Sequence, residues 1–370
     1  MASKKKAAKK KPQRQRSKKL ASKPTAKTRA SAATAAPAPA ASARITLTAA
    51  MTDYDHVRDF ATGRVRAEGL DVNFLTLSVE EIFFRFIKFR EWDVSELSMG
   101  KYVSLVSQND TSLVGIPVFP SRVFRLQSLY VRADDGLKGP QDLKGKRVGV
   151  PEWAQTASIY TRGYLMHECG LRLQDIEWHQ AGVNQPGRAE KVELKLPDGV
   201  RYRPRPDKSL DGMLLKGEID AVMSAHPPAA FEHGDPRIVR LIPDFRAAEE
   251  AYFKKTGIFP IMHVVAIKRD VYDRNPWIAR NLFNAFEQAK DRSVARVLDS
   301  TAARVPIPWG FRYAEDAQAL FGPDFWPYGL EPNRTTLEAF LRFAFEQGVC
   351  HRLVKPEELF PPQLHATFKV

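Results

Sequence analysis

Arg122 and Arg125 follow the apolar run Leu113–Phe119 and a Pro120-Ser121 break. A guanidinium is always charged and matches a carboxylate in bidentate geometry, so this pair at the mouth of a core strand suits the capture of acids. Arg162 is a third candidate cation. His263 lies inside the apolar run Phe259–Ile267, and His226 precedes Pro227-Pro228 at the end of another. Histidine changes charge near neutral pH, the range in which general acid–base catalysis works best. Glu96 interrupts the run Trp92–Met99, where burial demands an ion pair or a displaced titration. Asp53 follows the first strand, where open α/β sheets bind ligands. Each residue has a structural alternative: a surface ion pair for the arginines, a core position for His263, a helix cap for Asp53.

Positioning such groups requires a scaffold, and the chain reads as alternating strands and helices. Strands are expected over 44–50, 70–77, 92–99, 113–119, 143–150, 176–181, 217–223 and 259–267. Ser78 and Glu81 form a capping-box pattern ahead of a helix whose Ile82, Phe83, Phe86 and Ile87 read as core packing. The loop 151–156, with Glu152 and Thr156, feeds a helix over 157–169, and free amides at such a start favour anions. Ser98 closes the polar end of the third strand. Residues 185–206 read as an irregular excursion over the cleft. Helices over 276–297 and 335–348 complete the chain. Residues 44–126 and 260–370 are expected to form one α/β lobe and 127–259 a second, with the ligand cleft between them.

Of the 57 Lys and Arg, fourteen fall in residues 1–44, which hold no Asp or Glu; the remaining 43 match the 43 acidic residues of the chain. The basicity therefore belongs to a tail, residues 1–43, whose composition predicts disorder and at most loose contact with polyanions. The balanced remainder argues against a specific nucleic-acid module. No run of eighteen apolar residues exists, which argues against a membrane span. Cys169 and Cys350 form no motif, so a reduced, cytoplasmic setting is expected. The histidines show no metal-binding spacing, and no cofactor is expected; a divalent ion on His263, Asp53 and Glu96 stays open as an alternative. So does a homo-oligomer.

Several stretches resemble the 4,5-dihydroxyphthalate decarboxylase family: Asp53-Tyr54-Asp55, Glu96-Leu97-Ser98-Met99, Ile116–Arg122, Gly149-Val150-Pro151-Glu152, Phe259–His263 and Trp326–Glu331. The resemblance covers residues 44–365 and implies a type II periplasmic-binding-protein fold. It also implies decarboxylation of a dihydroxylated aromatic dicarboxylate in the inter-lobe cleft. His226 departs from the pattern, standing where Arg is expected before the Pro-Pro pair. On this reading Arg122, Arg125 and Arg162, with Ser98, Glu152 and Thr156, bind substrate. His263 transfers the proton, with His226, Asp53 or Glu96 as partner. Phe124 or Trp153 forms the apolar wall beside the leaving carboxylate. The alternative is a non-catalytic solute-binding protein for a small acid, which shares the fold and the clamp.

Overall fold

The computed structural model describes residues 44–366, and the expectation of a disordered tail over 1–43 lies outside them. Among the described residues, eleven strands are assembled into two mixed sheets. The first uses β1 (Ile45–Met51), β2 (Leu70–Thr76), β3 (Val94–Ser98), β4 (Leu113–Ile116) and β11 (His263–Lys268), in the order β2-β1-β3-β11-β4. The second uses β5 (Leu129–Arg132), β6 (Arg147–Val150), β7 (Glu177–Gly182), β8 (Arg201–Ser209), β9 (Ala221–Met223) and β10 (Ile238–Arg240), in the order β10-β5-β9-β6-β7-β8.

In the first sheet β1 runs parallel to β2 and β3, whereas β11 returns antiparallel between β3 and β4. Every residue of β3 is buried, Ser95, Glu96 and Ser98 included. A strand covered on both faces needs apolar side chains or polar ones with partners. The β3–β11 register aligns Ser98 with His263 and Glu96 with Val265. Glu96 and His263 are thus diagonal neighbours on one face, within reach of long side chains.

Four helices carry the groups considered below: α1 (Asp55–Ala61), α2 (Val79–Phe89), α3 (Met99–Ser107) and α4 (Thr156–His167). Ser78 precedes α2, but its side chain makes no cap hydrogen bond, so the capping box expected from Ser78 and Glu81 is not formed. Gly100 lets the first turn of α3 approach the loop before α4; a Cβ there would lie 2.5 Å from the Ala154 carbonyl oxygen. β8 takes up part of the segment expected to be irregular. Its Pro204 and Pro206 are tolerated because β8 is an edge strand, where missing N–H groups break no ladder on the open side. The long helix Ile278–Val297 buries Leu282, Phe283, Phe286 and Ala289.

Candidate active site

Strand ends and helix starts from both sheets converge on a cavity of about 360 Å³. That volume is at the lower end for small-molecule sites. One pole carries Glu96, His263 and Tyr54. Glu96 is fully buried, and its Oε1 lies 2.5 Å from His263 Nδ1 and accepts a 2.5 Å hydrogen bond from the Tyr54 hydroxyl. Its Oε2 accepts the Thr52 amide at 3.0 Å. Burial pushes the Glu96 carboxyl up, but the His263 charge and these hydrogen bonds more than offset it and hold it below the usual range. Burial, and then the Glu96 charge, push the Tyr54 hydroxyl well above its usual range, so it stays a donor. Phe83 meets the His263 ring edge-on at 4.9 Å. With Nδ1 committed to Glu96, Nε2 is the ring nitrogen without a partner among the described residues.

A second pole is cationic. Glu152, itself buried, is met by Lys101 Nζ at 3.2 Å, Lys191 Nζ at 3.2 Å and the Arg188 guanidinium at 2.8 Å. Burial raises the Glu152 carboxyl, and the three cations more than reverse this. Burial lowers Lys101, which Glu152 only partly offsets. Arg125 also lines the cavity; its Nε donates to Met262 Sδ at 3.3 Å, and burial lowers its guanidinium to about 10. No carboxylate lies within 4 Å of Arg125 among the described residues. Ser98 and Thr156 join the floor, their hydroxyls 3.0 Å apart, with Thr156 Oγ1 accepting the Gly100 amide. At the rim His226 Nε2 lies 2.6 Å from Glu80 Oε1, both side chains half exposed.

Of the residues expected from the sequence, the cavity gathers His263, Arg125, Ser98, Glu152, Thr156 and, at its rim, His226, with Glu96 buried behind His263. Three lie elsewhere. Asp53 faces Arg58 at 3.4 Å with 65% of its side chain exposed. Arg122 is buried away from the cavity, donating to the carbonyls of Phe259 and Pro327 and to Asn333 Oδ1. Arg162 is wholly buried, donating to the Trp153 carbonyl and Gln347 Oε1, its guanidinium 3.9 Å over the Trp153 ring. Its role is to join α4 to the loop after the helix Arg334–Glu346. Trp153 and Phe124 do not line the cavity either; the apolar wall is Leu77, Val79, Phe83, Ala157 and Met262. In the loop 151–156, expected to feed an anion-binding helix start, the amides of Trp153 and Ala154 donate to Glu190.

Sequence reasoning missed Tyr54, Lys101, Arg188 and Lys191. Lys101 carries a signal in hindsight, as a lone cation in the otherwise uncharged run 97–107. Arg188 and Lys191 sit in a charged, irregular segment and carry none. Among the described residues no group of three His, Cys, Asp or Glu side chains is placed to hold a metal ion. No helix there is long and apolar enough to cross a membrane.

No family model matches the chain. A curated relative from Comamonas testosteroni, 4,5-dihydroxyphthalate decarboxylase, is 36% identical over 329 residues, covering 89% of this chain and all of that protein. The chain belongs to the 4,5-dihydroxyphthalate decarboxylase family. A second relative of that name, from Pseudomonas putida, is 37% identical over 212 residues, 57% of this chain and 82% of that one. The chain is thus a carboxy-lyase by family. The periplasmic aliphatic sulphonate-binding protein SsuA of Escherichia coli superposes with a TM-score of 0.50 at 12% identity, covering 87% of this chain and 99% of that one. The fold of this family member is therefore periplasmic-binding-protein-like, two α/β lobes.

Proposed function

We propose that this carboxy-lyase converts 4,5-dihydroxyphthalate, or a near relative, to 3,4-dihydroxybenzoate and CO2 by acid–base catalysis in the cavity between its lobes. The observation that carries the reading is His263 on the wall of a cavity that also holds surplus cations, backed at 2.5 Å by buried Glu96.

Each carboxylate of this substrate has a hydroxyl para to it. That hydroxyl feeds electron density to the ring carbon bearing the carboxylate and makes it basic. His263, its Nδ1–H fixed on anionic Glu96, delivers a proton from Nε2 to that carbon. The bond to the carboxylate then breaks, its electron pair restores the aromatic ring, and CO2 leaves. One proton is consumed for each CO2 formed, and His263 regains it from solvent. The hydrogen bonds from Tyr54 and Thr52 keep Glu96 oriented through the cycle. The apolar wall disfavours the charged ground state of the leaving carboxylate more than the transition state, in which that charge drains into the ring.

We place this chemistry in the cytoplasm, with Cys169 and Cys350 as free thiols. The test is incubation of the purified full chain with 4,5-dihydroxyphthalate while CO2 and 3,4-dihydroxybenzoate are followed. Equimolar formation of both is expected; binding without either product would replace the reading with a receptor.

A further inference from the structure

The three cations around Glu152 exceed what one carboxylate neutralises, and all four side chains open onto the cavity that holds His263. Glu152 and Lys101 are buried, whereas Arg188 and Lys191 keep 27% and 37% of their side chains exposed, so the surplus charge faces the cavity and is not sealed into the core, where it would be costly. Glu190 lies alongside, but its carboxylate accepts the amides of Trp153 and Ala154, and among the described residues it makes no ion pair with the three cations. The segment carrying Arg188 and Lys191 is also held in place: Gln180 donates to the carbonyls of Pro151 and Arg188, both at 2.8 Å. A surplus of positive charge on a fixed wall is a receptor for an anion.

We propose that Lys101, Arg188 and Lys191, tempered by Glu152, form the subsite that holds the carboxylate which the reaction retains. This rests on the decarboxylation reading and deepens it. A cation on the leaving carboxylate stabilises the ground state more than the transition state, in which that charge disperses, so the stronger cationic pole belongs with the group that stays. 4,5-Dihydroxyphthalate is symmetric, and either carboxylate can leave. The subsite decides by holding one and leaving its neighbour, ortho on the ring, to face His263. The product keeps the anchored carboxylate, so it occupies the same subsite.

The experiment compares binding of 3,4-dihydroxybenzoate and of catechol, which has no carboxylate, to wild type, Arg188→Gln and Lys191→Met. Lys191 is the most exposed of the three cations, so its replacement is the variant least able to disturb folding. Wild type should favour 3,4-dihydroxybenzoate over catechol. Each variant should bind 3,4-dihydroxybenzoate about tenfold more weakly or worse, as loss of a charge-assisted hydrogen bond implies, with catechol within about twofold. Unchanged affinity of both variants for 3,4-dihydroxybenzoate overturns the proposal, as does equal wild-type affinity for the two ligands. These readouts do not depend on turnover. A wild type that passes them but releases no CO2 from 4,5-dihydroxyphthalate sinks the decarboxylation reading and leaves the carboxylate subsite standing.

Discussion

Glu96 on β3 and His263 on β11 are diagonal partners across an antiparallel pair, their side chains joined at 2.5 Å over the cavity. The register of two strands, not a loop, sets this contact. Groups on paired strands hold their geometry more rigidly than groups on loops, which suits a proton-transfer pair.

Glu96→Gln keeps the size of the side chain but offers one acceptor oxygen where Tyr54 and Thr52 use two, and it removes the negative charge beside His263. We expect kcat to fall by about 100-fold or more, the usual scale of acid–base assistance, with KM little changed. Steady-state kinetics with 4,5-dihydroxyphthalate check this. A rise in KM at unchanged kcat would assign Glu96 to binding.

Arg122→Lys is expected to act on stability. Arg122 ties the strand-end loop to the carbonyls of Phe259 and Pro327 and to Asn333, contacts that the shorter fork-less ammonium cannot all replace. We expect a loss of about 2 kcal/mol in urea unfolding, from the scale of charged hydrogen bonds, and a KM within about threefold of wild type. A large rise in KM at unchanged stability would return Arg122 to the substrate.

Glu152→Gln leaves three cations without their common anion. Removing one partner of a buried ion pair costs about 3–5 kcal/mol, and a loss of that order is expected in denaturant unfolding near neutral pH. The sign with pH follows from the direction of the shift. The Glu152 carboxyl is held below its ordinary value, so its contribution is present above that value and lost as pH falls through the folded one. Wild type and variant should therefore converge on acidification; a constant gap would contradict the assignment.

The Glu80–His226 contact joins α2, which follows β2 of the first sheet, to the residues after β9 of the second sheet, at the rim of the cavity. The hydrogen bond to Glu80 raises His226, against burial and the Arg188 and Arg125 charges, and the same contact lowers Glu80 to about 2. The raised His226 gives a contribution fully present below its unfolded value and lost as pH rises through the folded one. Glu80 sets the acid edge, its contribution present above its ordinary value and lost as pH falls towards about 2. We expect KM of wild type to rise through the alkaline edge of that window and KM of His226→Gln to be higher and flat there. Parallel pH profiles for the two proteins would mean that the contact does not gate the cavity.

Much of this was legible in the sequence. The strand 259–267 with His263, the buried acid at 96 and the helix after 156 each announce themselves by apolar runs and turn residues. The arginines were harder. Arg122 and Arg125 differ by three positions and look alike on paper, yet one is wrapped by the Trp326–Asn333 segment and the other faces the cavity. Only tertiary packing separates them. Arg162 was equally open, because a cation on a helix shows neither its stacking on Trp153 nor its reach to Gln347, 185 residues away. The cations at 101, 188 and 191 come together from a helix and a loop far apart in the chain, and no local pattern connects them.

The most direct test of the central claim is His263→Gln. Glutamine cannot shuttle a proton near neutral pH, yet it fills much of the same space. We expect single-turnover release of CO2 from 4,5-dihydroxyphthalate to slow by about 100-fold or more. Binding of phthalate, which lacks the hydroxyls and cannot react by this route, should stay within about threefold of wild type. A variant that releases CO2 within about fivefold of the wild-type rate would contradict the assignment of the proton to His263.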